Sequence, residues 1–118
     1  MKWHSLTYPD NPSSEMVSVD AETGPDSPWF SGHFPADPIL PGIAQLEMAF
    51  EAIKGLRRKG LRIAGVKKVR FKQVIRPDDK LNIIAAKKKG DPSAYTFRIM
   101  VNGELACSGI ITVEELGD

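Results

Sequence analysis

Two ionisable side chains of complementary use, His33 and Glu47, stand at the two ends of a proline-stiffened run. The segment reads Phe30-Ser31-Gly32-His33-Phe34-Pro35-Ala36-Asp37-Pro38-Ile39-Leu40-Pro41-Gly42-Ile43-Ala44-Gln45-Leu46-Glu47. Pro35, Pro38 and Pro41 fix φ at every third position, so His33 is held by backbone, which is what a positioned catalytic group requires. Gly42 opens a helical stretch whose free N–H groups and positive dipole end can receive partial negative charge, such as a carbonyl oxygen becoming an enolate. Glu47, one turn and a little further on, supplies a carboxyl group. An imidazole, a carboxyl group and an anion-receiving helix start are the parts of general acid–base chemistry. Each also has a plainer reading: His33 as a turn residue bonded to backbone, Glu47 as part of an exposed stripe with Glu51 and Lys54, and Gly42 as a site of close packing. His4 reads as a surface residue in a polar terminus. Cys107, in an alternating strand, reads as a small buried hydrophobe rather than a nucleophile.

The elements that must hold these groups follow from pattern. Seven of nine prolines lie between Pro9 and Pro41, so that stretch is not regular helix. Within it, Met16 to Ala21 alternates well enough for a short strand, Thr23 to Pro28 reads as a turn or loop, and a structured loop runs from Trp29 to Pro41. A helix is expected from Ile43 to about Leu56, closed by Gly55 and Gly60 with Arg57, Arg58 and Lys59 in its last turn. It is apolar almost all the way round, with Glu47, Glu51 and Lys54 sharing one narrow stripe, and so belongs inside something that wraps it. The second half reads as strands over Arg62–Phe71, Lys80–Lys89, Ala94–Val101 and Leu105–Glu114. Arg76-Pro77-Asp78-Asp79 and the hairpin signal Asn102-Gly103 mark turns between them. The economical architecture is α+β, an antiparallel sheet curled around one buried helix.

The 118 residues fit one compact domain over 1–118, and the single Cys rules out an intrachain disulfide, which points to a reducing, cytoplasmic setting. The longest apolar run, Ile83 to Ala86, is far below the roughly 20 residues of a membrane span, so no membrane partner is expected. Two His and one Cys are too few for a Cys/His zinc site, and no glycine-rich phosphate loop is present; neither metal nor cofactor is expected. Charge is uneven. Residues 1–53 carry Lys2 against eight acids, residues 54–89 carry fourteen Lys or Arg against Asp78 and Asp79, and residues 90–118 carry Arg98 against five acids. The basic middle faces an acidic partner or is a solvated face. Nucleic acid is argued against, because no aromatic platforms interleave the cations and no helix-turn-helix is apparent.

The run from Gly32 to Glu47 resembles the β-hydroxyacyl-[acyl-carrier-protein] dehydratases: Gly-His-Phe-Pro, two variable positions, Pro-Ile, one position, Pro-Gly, then a carboxylate five residues later. Ala64-Gly65 through Val69-Arg70-Phe71-Lys72 to Pro77-Asp78-Asp79-Lys80-Leu81 is similar to the strand that follows the helix in that family, with Asp78 where Gly is usual. The resemblance spans roughly Trp29 to Glu114 and extends to the short dehydratases of specialised polyene pathways. It implies the hotdog fold, an antiparallel sheet wrapped around one long central helix. It implies a dehydratase that converts a 3-hydroxyacyl thioester to the trans-2-enoyl thioester and water, with His33 removing the C2 proton and Glu47 protonating the departing hydroxyl. Gly42 would polarise the thioester carbonyl, and Phe34 and Phe71 would line the acyl tunnel. Implied partners are an acyl carrier protein bearing the substrate on phosphopantetheine and a second copy of the chain, in a homodimer or higher homo-oligomer whose catalytic pair meets across the interface. A cis peptide between His33 and Phe34 is implied as well. Alternatives within reach of the same residues are a hotdog acyl thioesterase, which would use Glu47 to activate water, and a non-catalytic acyl-ligand module.

Overall fold

A computed structural model describes residues 4–7, 15–24, 27, 29, 39–56 and 60–116. In chain order the elements are β1 (Ser5–Thr7), β2 (Met16–Glu22), α1 (Gly42–Leu56), β3 (Leu61–Phe71), β4 (Lys80–Lys88), β5 (Asp91–Val101) and β6 (Glu104–Glu115). The strands form one sheet in the order β1-β2-β4-β5-β6-β3, every neighbouring pair antiparallel. The helix packs on one face of it, against β4, β2, β5 and β3.

Alternation decides which side chains meet the helix. In β2 Val17, Val19 and Ala21 are buried while Met16, Ser18, Asp20 and Glu22 are exposed, the pattern of a strand with one covered face. In β5 Tyr95, Phe97, Ile99 and Val101 form the inner face expected from sequence. From α1, Ala44, Met48, Ala49, Phe50, Ala52 and Ile53 enter the same core. Register shifts in β3, one between Ile63 and Gly65 and another between Lys67 and Arg70, interrupt its ladder with β6, and such bulges bend and twist a sheet locally. The curled sheet around one helix is thus the architecture expected, and it carries the core that holds the helix start in place.

Several local expectations are refined. Asn102 and Gly103 both have positive φ, 51° and 82°, as a two-residue hairpin turn requires. Asp78 has φ 69°, which accounts for Gly being usual there; Asp tolerates this conformation, and the Asp79 side chain closes the same turn by accepting from the Arg76 amide at 2.8 Å. The strand expected from Ala94 begins at Asp91, because Pro92 falls at a register shift opposite Lys87 and Lys88, where no ladder donor is required. The largest departure concerns His4. Expected at the surface, its side chain is only 7% exposed, because partners from two distant segments enclose it.

Candidate active site

The start of α1 is fixed by its own backbone and by the connection between β3 and β4. The Pro41 carbonyl accepts the first helical bonds, from the amides of Ala44 at 3.1 Å and Gln45 at 3.3 Å. The Leu40 amide donates to the Ile75 carbonyl at 2.7 Å, which ties the proline run to the segment after β3. That leaves the amides of Gly42 and Ile43 as the first unpaired donors of the helix; neither has an acceptor among the described residues. Two free N–H groups at the positive end of a helix are suited to an oxygen that gains negative charge.

Phe71 stands over this point. A Cβ added at Gly42 would lie 2.8 Å from Cζ of the Phe71 ring and 3.2 Å from Cε1, closer than carbon atoms pack. A side chain at position 42 would therefore force the ring or the helix start to move. Phe71 is 52% exposed, and Ile43 and Val74, from the segments that meet it here, are 71% and 50% exposed. Ile43 and Phe71 thus lie at the free amides, and Val74, next to the Ile75 that pairs with Leu40, continues this exposed apolar apron.

Glu47 lies one turn further along α1, half-buried, with no hydrogen bond or ion pair among the described residues. Its neighbour on the same stripe, Glu51, is paired with His4. Of the residues singled out from sequence, Gly42, Glu47 and Phe71 are therefore grouped at the N-terminal half of α1. His33 and Phe34 lie outside the described residues, as do the peptide between them and Arg57, Arg58 and Lys59. A polar residue that sequence reasoning passed over is Gln45. It is 4% exposed, its Nε2 donates to the Leu40 carbonyl at 3.4 Å, and its Oε1 is buried without an acceptor's usual partner. A Gln among the apolar residues of α1 was the available signal, since such a side chain enters a core only when something there needs an amide.

Cys107 takes no part. It is fully buried, and desolvation pushes its thiol up to about 11, the reverse of what a nucleophile needs. Among the described residues no cluster of three or more His, Cys, Asp or Glu side chains is placed to hold a metal ion, and no helix is long and apolar enough to cross a membrane. On the opposite face of the sheet, Lys68, Arg70, Lys72 and Arg98 surround an open groove of about 430 Å³ with Thr96 and Ser108. Among the described residues no carboxylate lines that groove, and none of the four cations is paired. Lys68 reaches it from the bulge in β3, where it has a φ of 54°.

Comparison with known proteins gives this geometry a family. The ApeI-like family model, described as ApeI dehydratase, matches residues 9–110. The 3-hydroxyacyl-[acyl-carrier-protein] dehydratase FabZ of Haemophilus influenzae strain PittEE is 40% identical over 108 residues, which cover 83% of this chain and 73% of that protein. FabZ of Streptococcus pneumoniae strain CGSP14 is 34% identical over 96 residues, 74% of this chain and 69% of that protein. Among solved structures, the dehydratase heterocomplex ApeI:P from Xenorhabdus doucetiae superposes with a TM-score of 0.79 at 23% identity, over 92% of this chain and 97% of that one. A hypothetical thioesterase from Streptococcus pneumoniae, solved with coenzyme A, has a TM-score of 0.73 at 10% identity, over 98% of this chain and 87% of that one. Fold by itself leaves dehydratase and thioesterase side by side, and the sequence relatives decide between them: the chain belongs to the ApeI-like family of hotdog dehydratases.

Proposed function

We propose that the chain, acting as a single domain over residues 1–118, dehydrates a 3-hydroxyacyl group carried as a thioester on the phosphopantetheine arm of an acyl carrier protein. The observation that carries this reading is the pair of free amides at Gly42 and Ile43, set under Phe71 with the Glu47 carboxyl one turn away. The thioester carbonyl oxygen accepts from the Gly42 amide. His33 takes the C2 proton, and the C–H electrons enter the enolate that this amide stabilises. The enolate then collapses to the C2=C3 double bond as the C3–O bond breaks, and Glu47 delivers a proton so that the oxygen leaves as water. No metal or organic cofactor enters the scheme.

The same reading makes the working unit at least a homodimer, with His33 from one subunit and Glu47 from the other. Two features support it. The apolar apron of Ile43, Phe71 and Val74 is too exposed to serve as an acyl tunnel until a second chain covers it. Strand β3 is an outer strand of the sheet, with Ile63 and Val66 exposed, so its free edge is open to pairing with a second copy. The groove ringed by Lys68, Arg70, Lys72 and Arg98 supports docking of an acidic carrier protein. With its only cysteine buried and no intrachain disulfide possible, the chain suits a reducing compartment such as the cytoplasm.

Incubation with a panel of 3-hydroxyacyl carrier-protein substrates, read by mass spectrometry, tests the proposal. Enoyl-carrier product with loss of water is expected. Release of the free acid would assign a thioesterase, and no conversion with retained acyl binding would assign a non-catalytic module.

A further inference from the structure

We propose that His4 is a positioning residue for the dehydration, clamping the chain at Trp29 to the helix that carries Glu47; this rests on the reading of His33 and Glu47 as base and acid. His4 sits immediately before β1, and both of its ring nitrogens are engaged. The Trp29 indole Nε1–H can only donate, and it lies 3.0 Å from His4 Nδ1. Nδ1 is therefore the acceptor, and the neutral ring carries its proton on Nε2, which donates to Glu51 Oε2 at 3.0 Å. The indole and imidazole planes lie within 18° of each other, with ring centroids 6.2 Å apart. The result is one directional chain, from indole to imidazole to carboxylate. The Trp29 backbone is held as well, its amide donating to the Ser27 hydroxyl at 3.3 Å.

The position of the two partners is what gives the clamp a role beyond anchoring a three-residue strand. Glu51 follows Glu47 by four residues, one turn along the same helical stripe. Trp29 precedes His33 by four residues. The clamp thus joins the point from which the base-bearing segment departs to the turn of helix next to the acid. An edge strand needs only apolar burial for its attachment, whereas burying an imidazole is costly unless both nitrogens are satisfied. Here they are satisfied by these two segments and no others. Because the imidazole is shielded from water, its two hydrogen bonds restrict the rotamers of all three side chains, as a supporting shell around a site must.

The clamp predicts a kinetic signature that a purely structural contact would not give. His4→Phe keeps a ring and loses both hydrogen bonds, Trp29→Phe loses the indole donor, and His4→Gln keeps one acceptor and one donor. Misplacing a catalytic group by about 1 Å costs up to roughly 100-fold. In the full-length chain, with carrier-bound substrate, kcat should therefore fall by about tenfold or more in H4F and W29F while KM stays within about twofold. H4Q should recover most of the loss, and the H4F, W29F double variant should be no slower than the slower single. The Trp29 indole resonance in a 15N-labelled sample, assigned by its disappearance in W29F, should move in H4F and return towards its original place in H4Q. Wild-type kcat in folded H4F, or losses that multiply in the double variant, would overturn the positioning role. An unmoved indole resonance in H4F would overturn the clamp whatever the activity. Loss of turnover in Glu47→Gln alongside full turnover in H4F would reject the clamp's role alone, whereas full turnover in Glu47→Gln would reject the underlying reading of the site.

Discussion

Gly42→Ala separates the chemistry of the helix start from its stability. The added Cβ would meet Phe71 Cζ at 2.8 Å, and since carbon atoms pack at about 3.5 Å or more, the ring must retreat by roughly 0.7 Å or the helix start must shift as far. Phe71 is half exposed, so it can swing outward at small cost in burial. Gly42 is free of positive φ, and Ala is the better helix former by up to about 1 kcal/mol in a helix interior, less at its first residue. The two effects oppose each other, and the change in unfolding free energy should lie within about 1 kcal/mol. Turnover should respond far more strongly. The methyl group and the displaced ring intrude on the space where the carbonyl oxygen must approach the amide, and loss of one such donor costs about 10² to 10³ in rate. Thermal or urea unfolding, paired with dehydration kinetics on one carrier-bound substrate, reads both quantities. Adding Phe71→Leu to Gly42→Ala removes the obstructing ring atoms and should restore part of the lost rate. Turnover of Gly42→Ala within about twofold of wild type would refute the assignment of the reacting carbonyl to this amide, and so would a loss fully accounted for by unfolding.

Glu47→Gln and His33→Ala should each lower dehydration by at least about 10²-fold with unfolding midpoints close to wild type, because they remove acid and base but little core volume. Raising salt should lower kcat/KM for carrier-bound substrate, since steering is screened beyond about 8–10 Å, while a small uncharged thioester mimic changes little. Arg70→Glu and Arg98→Glu should reproduce the salt effect on the carrier-bound substrate and spare the mimic; equal sensitivity of both substrates would make the groove a solvated face. The Cys107 thiol is raised by burial to about 11, so the folded chain holds this proton more tightly than the unfolded one. That stability is complete below about pH 9 and is lost as pH rises through about 11, by about 2–3 kcal/mol. Urea unfolding of wild type and Cys107→Ala across pH 8–11 checks it, and the variant should lack this part of the decline.

The larger elements were readable because local pattern and tertiary demand agree in them. The strand alternation of β2 and β5, the apolar α1 and the Asn102-Gly103 turn all place their side chains as the sequence suggests. Disagreements arise where one residue's role depends on partners far along the chain. His4 stands in a short N-terminal stretch with no readable period, yet Trp29 and Glu51 bury it. The strand expected from Ala94 starts at Asp91 because Pro92 lies at a bulge. The three residues of β1 are too few to show a period, and their strand exists only because β2 offers an edge. At the site, Gly42 and Glu47 are candidates that the sequence singles out at a helix start, and Phe71 one that only the family resemblance suggests. That the Phe71 ring stands over Gly42, so that a side chain there would meet the ring although its φ would allow one, is a tertiary fact without a local signal. The basic segment divides in a way its composition does not show: Lys68, Arg70 and Lys72 converge with Arg98 from β5 on one groove.

Mixing His33→Ala chains with Glu47→Gln chains, after verified subunit exchange, tests the composite acid–base site most directly. If base and acid come from different subunits, random exchange makes about half the dimers mixed, and each mixed dimer has one intact site and one doubly damaged site. Dehydration should then reappear at about a quarter of the wild-type rate from two nearly inactive preparations. No recovery despite full exchange would place both residues in one subunit, and substantial turnover in either preparation alone would contradict their roles as base and acid.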